Sequence, residues 1–336
     1  MKHRVAILTT RPMAESIFSA EDLAFLNQFA DCNKIEDLPE TLSDADMQRL
    51  IRGADACVTC WGTPKLTEAM LQAAPDLKLV AHAAGTIKNL IPPALWQTRC
   101  RVTSNAPVIA EDVAQTVLAL TLTSLLGLWG NAESTRAGGW QGGESGQFKT
   151  KKINGLKIGL VGYSSVCREV ITLFKVFDCD IRVWDPYVCP LEMRRAGVTW
   201  MPLDDLMASC DVVSLHAPAN EDCRHLIHGD NLRLLQDGAL FINTARGMIV
   251  DEEALIRELE TGRIFACIDV TDPEPPAVDH PFRTMHNVIL TSHVAGGHTA
   301  NGRKRLGANA ILQIYNYLTK GLLANEVRQE MLEHMA

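Results

Sequence analysis

The sequence predicts an α/β chain of two doubly wound domains, one inserted into the other. Strand-like and helix-like segments alternate along the chain, which implies mostly parallel sheets with helices on their faces. The strand segments are continuous apolar runs, as expected of parallel strands buried on both sides. At 336 residues the chain is long for one core and suits two.

A first group of strands is expected at 5–9, 54–59, 77–83 and 101–104, ending near Asn105-Ala106-Pro107. The apolar segment 113–129 follows, interrupted by Gln115 and Ser124 and preceded by Glu111 and Asp112. It is too short and too polar to cross a bilayer and reads as a helix buried between the domains. The stretch 138–146 contains five glycines and reads as loop. A second group of strands is expected at 156–161, 181–185, 211–216, 238–243, 265–270 and 287–291. The closing helix, 300–319, places Leu306, Ala310, Ile311, Ile314 and Leu318 on one stripe. The first domain is then 1–107 completed by 298–336, with 108–297 inserted.

Composition narrows the function classes. A hydrophobic share of 47% with 21% charged residues suits a globular protein. A net charge of −8 without a Lys/Arg cluster argues against a nucleic-acid surface. The apolar stretch before Arg11 is too short for a signal peptide and reads as the first strand, so neither secretion nor a membrane is expected. Ten cysteines in such a chain suggest reduced thiols and a cytoplasmic location. Only Cys57-Val-Thr-Cys60 has metal-like spacing; it lacks a second pair and reads as small apolar residues at a strand end, so no metal is expected.

Three charged residues each follow a buried-strand run: Arg246 in Thr244-Ala245-Arg246-Gly247, Glu274 in Asp272-Pro273-Glu274-Pro275, and His293 in Ser292-His293-Val294-Ala295-Gly296. Loops at the carboxyl ends of parallel strands are where open α/β sheets place chemistry. An imidazole can exchange a proton with a reacting oxygen, a carboxylate can orient it, and an arginine can grip a substrate carboxylate in a fork. The three are expected to converge across the interdomain cleft and to interconvert a 2-oxo acid and a 2-hydroxy acid.

The inserted domain opens with Gly162-Tyr163-Ser164-Ser165-Val166-Cys167 between a strand and a helix, the setting of a dinucleotide fingerprint. Only the first glycine is present; Ser164 and Cys167 replace the other two. Asp185 lies 23 residues after Gly162 at the next strand end. A carboxylate there can accept ribose hydroxyls and repels a 2′-phosphate, which points to NAD rather than NADP. The competing reading of Asp185 is a turn residue before Pro186.

Taken together, the chain resembles the D-isomer-specific 2-hydroxyacid dehydrogenase family almost end to end. The resemblance rests on Ala83-Ala84-Gly85-Thr86, Asn105-Ala-Pro107, the strand-turn-helix from Leu156, Val183-Trp-Asp-Pro-Tyr187, Asp211-Val-Val-Ser-Leu-His-Ala-Pro218, Phe241-Ile-Asn-Thr-Ala-Arg-Gly247, Asp269-Val270 with Glu274-Pro275, and His293-Val-Ala-Gly296. It implies two Rossmann-like domains, with the NAD-binding one inserted into a discontinuous flavodoxin-like substrate domain. It also implies Arg246 as the substrate-carboxylate arginine, Glu274 as the acid paired with the histidine and His293 as general acid/base. The backbone of Ala83, Ala84, Gly85 and Thr86 would hold the substrate carboxylate. Beyond the fingerprint residues Gly162 to Val166 and Asp185, the cofactor set implied is His216, Ala217, Pro218, Thr244, Ala245, Asp269 and Gly296.

The substrate loop departs from the family's usual pattern at Lys88, either a second anion contact or a solvent-facing lysine at a helix start, and His82 precedes it; Trp61 is either a wall of the substrate cleft or a core or interface tryptophan. The same fold serves nucleotide-sensing corepressors, and the thinned glycine fingerprint keeps a non-catalytic NAD(H) sensor as the alternative to an enzyme. A family-typical homodimer is expected, with the long apolar helix and the arm carrying Trp140 packing on the partner; the competing expectation is a helix enclosed by its own domains.

Overall fold

The computed structural model describes residues 2–140 and 150–334, so the glycine loop expected at 138–146 lies outside the described residues from 141 onward. The chain divides into two compact units, Met1–Ile109 with Gly297–Met335, and Ala110–Gly296.

In chain order the strands are β1 (His3–Leu8), β2 (Ala30–Cys32), β3 (Ala56–Thr59), β4 (Leu79–His82), β5 (Arg101–Ser104), β6 (Lys157–Val161), β7 (Asp180–Trp184), β8 (Thr199–Trp200), β9 (Val212–Leu215), β10 (Leu240–Asn243), β11 (Phe265–Ile268), β12 (Val288–Leu290) and β13 (Glu326–Val327). The first unit holds a sheet of order β13-β5-β4-β3-β1-β2. Its five parallel strands follow the flavodoxin order, and β13 adds an antiparallel edge. The second holds a parallel sheet of order β12-β11-β10-β9-β6-β7-β8, the Rossmann order extended at one edge. Its central strands are apolar because helices cover both faces, and Ile158, Leu160, Leu240, Phe241 and Ile242 are fully buried. Burying each stabilises the unit by about 1.5–3 kcal/mol.

Register explains why distant sequence positions meet. Val161 pairs with both Trp184 and Leu215, so Gly162, Asp185 and His216 leave adjacent strands at one edge. Asn243 pairs with Leu215 and Ile268, and Ile268 with Leu290, so Thr244, Asp269 and Thr291 continue that edge. The topological switch, where strand order reverses, falls between β6 and β9. Ligands of open α/β sheets bind there.

The long apolar helix runs Ala106–Leu125 rather than to Trp129. Pro107 sits in its first turn, where a missing N–H costs nothing. Gly127, at φ +63°, breaks the chain out of the helix before a second one, Leu128–Arg136. At 20 residues the first helix is long and apolar enough to cross a bilayer by length and composition, contrary to expectation. Ala110, Val113, Ala114, Val117, Leu120 and Leu125 are nevertheless buried in the protein, and Ser124 Oγ meets Cys267 Sγ at 3.3 Å inside the second unit. The closing helix, Ala300–Lys320, buries Leu306, Ala310, Ile311 and Ile314 as its stripe predicts.

Candidate active site

Arg246 follows β10 through a loop that Asn243 brackets: its Oδ1 accepts from Ala245 N at 3.0 Å and its Nδ2 donates to Arg246 O at 3.0 Å. Gly247 then lies against the next loop so closely that a Cβ there would be 2.1 Å from the Thr271 carbonyl carbon. That contact fixes Arg246 relative to the segment leading to Glu274. Burial pulls the Arg246 guanidinium below its ordinary value, and the nearby Glu274 carboxylate opposes the shift. The arginine remains a cation, and Nη1 donates to Ala245 O at 2.6 Å.

Glu274 accepts from His293 Nδ1 at 2.9 Å on one oxygen and 3.0 Å on the other. That fixes the ring orientation and leaves Nε2 for proton exchange. Both side chains are roughly half exposed, 45% for the histidine and 40% for the glutamate. Glu274, with Thr271, Ser292 and Arg283, lines a cavity of about 550 Å³. The structure thus brings the three predicted residues together within one unit, although they are 28 and 19 residues apart in sequence.

The His293 loop is tied down by residues that the sequence reading gave other tasks or none. Asp269, 1% exposed, accepts from Thr291 Oγ1 at 2.6 Å, Val294 N at 2.9 Å and Ala295 N at 2.9 Å. Thr116, on the long helix, donates to Ala295 O at 2.9 Å. Their partners lie 22 to 26 residues away for Asp269 and 179 for Thr116, so no local signal marked them.

At the switch point, Gly162 has φ +94°, and a Cβ there would lie 2.7 Å from Ala217 N. Only glycine leaves this backbone open. Ser164 has φ −73°, an ordinary conformation, and caps the helix Ser165–Phe174 by accepting from Cys167 N. Cys167 is fully buried, and burial pushes its thiol well up. Ser165 is exposed and Val166 half-buried beside them. Tyr163 is buried under Arg168, whose guanidinium stacks 4.1 Å from the ring centre. Asp185 accepts from Tyr163 N at 2.8 Å, Tyr187 N at 2.9 Å and Val188 N at 3.0 Å, so the turn reading and an oriented carboxylate are both realised. His216 is buried, which pulls it down to about 3, and its Nε2 has no hydrogen-bond partner among the described residues. Thr244 Oγ1 is likewise buried and unpartnered. Ala217 is buried, whereas Pro218, Ala245 and Gly296 are half-buried along the same edge.

In the first unit, Ala83 and Ala84 are buried, Gly85 half-buried and Thr86 exposed. Ala83 N already donates to Thr59 O at 2.7 Å, which removes that amide from the set open to a substrate. Ser104 Oγ donates to Gly85 O and so braces the loop. His82, just before it, is held by Thr59 Oγ1 at 2.9 Å, and burial pulls it down to about 4. Lys88 lies in a turn, not at a helix start as one of its readings supposed. Trp61 packs on the core of this unit and limits Gly297, where a Cβ would lie 2.4 Å from the indole. Cys57 and Cys60 are both buried, and Cys60 Sγ lies 3.5 Å from Ala83 O.

Residues 118–295 match the family model described as D-isomer specific 2-hydroxyacid dehydrogenase, NAD binding domain. The chain is 28% identical to a hydroxypyruvate reductase of Thermotoga maritima across 85% of this chain and 92% of that protein. It is 30% identical to a glyoxylate reductase of Thermofilum pendens across 87% of this chain and 86% of that protein. A phosphoglycerate oxidoreductase structure from Rhizobium etli aligns with TM-score 0.80 across 96% of this chain and 97% of that one, at 24% identity, a likeness of fold.

Proposed function

The chain belongs to the D-isomer specific 2-hydroxyacid dehydrogenase family, an NAD-binding oxidoreductase family, and from that premise we propose that it reduces a small 2-oxo acid to the D-2-hydroxy acid with NADH. The observation that carries the reading is His293 Nδ1 bonded to Glu274 at 2.9 Å, with the Arg246 cation in electrostatic reach of that carboxylate.

The chain's own residues fit a dinucleotide: the Gly162 cradle that a Cβ would fill, the orphaned hydroxyl of Thr244 and the oriented carboxylate of Asp185. Gly162 N and Tyr163 N are taken by Trp184 O and Asp185, so the amides of Ser164, Ser165 and Val166 would face the pyrophosphate, Asp185 the ribose, and His216, Ala217, Pro218, Thr244, Ala245 and Gly296 the remaining length. When bound, the reduced nicotinamide supplies the hydride. Arg246 holds the substrate carboxylate and polarises the carbonyl. His293 gives its Nε2 proton to the carbonyl oxygen, while Glu274 keeps the ring aimed.

Asp185 favours NADH, because a 2′-phosphate would meet its negative charge; a higher kcat/KM with NADPH would refute this. Against the sensor alternative, Ser164 needs no glycine conformation. All ten cysteines are free. Leu126, Leu128, Trp129 and Trp140 are 48%, 50%, 50% and 90% exposed, an apolar segment suited to a two-fold dimer with a second copy. Sedimentation equilibrium at micromolar concentration giving the mass of one chain would rule the dimer out.

Profiling NADH oxidation with glyoxylate, hydroxypyruvate, pyruvate, phenylpyruvate and phosphohydroxypyruvate tests the reading. At least one should be turned over, and binding of NADH without turnover of any would overturn it.

A further inference from the structure

We propose that Arg283 is a positioning residue that holds Glu274 against His293. The inference rests on the reading of Glu274 as the carboxylate that orients the proton donor, and it names what keeps that carboxylate in place.

Glu274 stands in Asp272-Pro273-Glu274-Pro275-Pro276-Ala277, where three residues in six lack a backbone N–H. The segment joins neither helix nor sheet, so its carbonyls need donors from elsewhere. Two side chains supply them, one on each side of Glu274. Thr271 Oγ1 donates to Pro273 O at 2.9 Å. Arg283 Nε donates to Ala277 O at 2.8 Å, and its Nη2 donates to Pro276 O at 3.0 Å. A guanidinium presents its donors in a rigid planar fork, so two bonds to consecutive carbonyls fix both the place and the direction of the chain just after Glu274. Arg283 and Glu274 line the same cavity.

The arginine has a firm base. Phe282, its neighbour, is 2% exposed and belongs to the core of the second unit. His280 accepts from Phe282 N at 3.3 Å, packs its ring 4.8 Å from that of Phe282, and meets Glu252 Oε1 through Nε2 at 2.9 Å. Glu252 also accepts from Asp272 N at 3.4 Å, so the start of the segment is tied to the base from which Arg283 reaches its end.

Arg283→Met keeps the aliphatic stem and removes the fork. Steady-state kinetics should show kcat down about tenfold to a hundredfold, the upper end being the scale of a group misplaced by about 1 Å. The NADH dissociation constant should stay within about threefold of wild type, and a thermal melt should show a folded protein, since the side chain is exposed. Arg283→Lys, a point charge that can serve one carbonyl, should recover part of the loss. In a Glu274→Gln background, where the carboxylate is already gone, Arg283→Met should cost less than about twofold more. A crystal structure of Arg283→Met should show Glu274 displaced from its 2.9 Å contact with His293 Nδ1. A kcat within about twofold of wild type, equal losses in the two backgrounds, or an unmoved Glu274 overturns the inference. If the wild-type protein turns over no 2-oxo acid, the functional reading fails on its own, and the place of Glu274 in the variant structure still decides this one.

Discussion

Replacing Gly247 with alanine should slow turnover about a hundredfold while leaving cofactor affinity unchanged. The added Cβ would stand 2.1 Å from the carbonyl carbon of Thr271, 2.2 Å from its oxygen and 2.6 Å from Asp272 N. All three atoms are backbone, so no flexible side chain can swing aside. Ordinary contact begins near 3.4 Å, and relief from 2.1 Å requires the two loops to part by about 1.3 Å. One loop carries Arg246 and the other leads to Glu274, so the Arg246 cation moves relative to the carboxylate that orients His293. A displacement of about 1 Å in a catalytic array costs about a hundredfold in rate, and overpacking costs about 1–3 kcal/mol of stability. The assay is steady-state kcat and KM on the best substrate, paired with an NADH fluorescence titration and a thermal melt. A folded variant with kcat within about threefold of wild type would refute the claim that this contact sets the array.

Gly162→Ala should weaken NADH binding at least about tenfold, or about 1.4 kcal/mol, because φ +94° disfavours any Cβ and Ala217 N would lie 2.7 Å from it; Gly53→Ala, at φ +67° with open space around it, is the control that strains the backbone and leaves NADH affinity unchanged. Acid should destabilise the fold through His216 and His82, whose folded values of about 3 and about 4 lie below the unfolded 6.5. Below pH 6.5 the unfolded chain takes up protons that the folded chain refuses, so stability is full above that pH and falls as pH drops toward 4. Each histidine should cost about 2 kcal/mol at pH 5. Urea unfolding at pH 7 and pH 5 measures the difference, and equal stabilities would contradict the assignment.

The parallel strands were legible because both faces are buried, which writes each one as an unbroken apolar run such as Leu240–Asn243. The strands not foreseen are β2, β8 and β13, two or three residues long and at sheet edges, with no pattern long enough to read. The apolar run starts at Val113, yet proline suits a helix's first turn, so the long helix begins at Ala106, before the point that its apolar run suggested. Within the site, Arg246, Glu274 and His293 stood out because charge follows an apolar strand. The tasks of Asp269 and Gly247 did not, because they are defined by main-chain atoms more than 20 residues away, which register brings near and sequence spacing does not. Ser164 illustrates a substitution whose meaning only backbone angles reveal: a lost glycine in the motif, and an N-cap in the fold.

The central claim is that Glu274-oriented His293 delivers the proton during reduction of a 2-oxo acid. Turnover of His293→Ala against wild type, with NADH and the best substrate from the panel, tests it most directly. The account predicts kcat lower by about two to four orders of magnitude with NADH affinity preserved; a folded variant that turns over at the wild-type rate would contradict it.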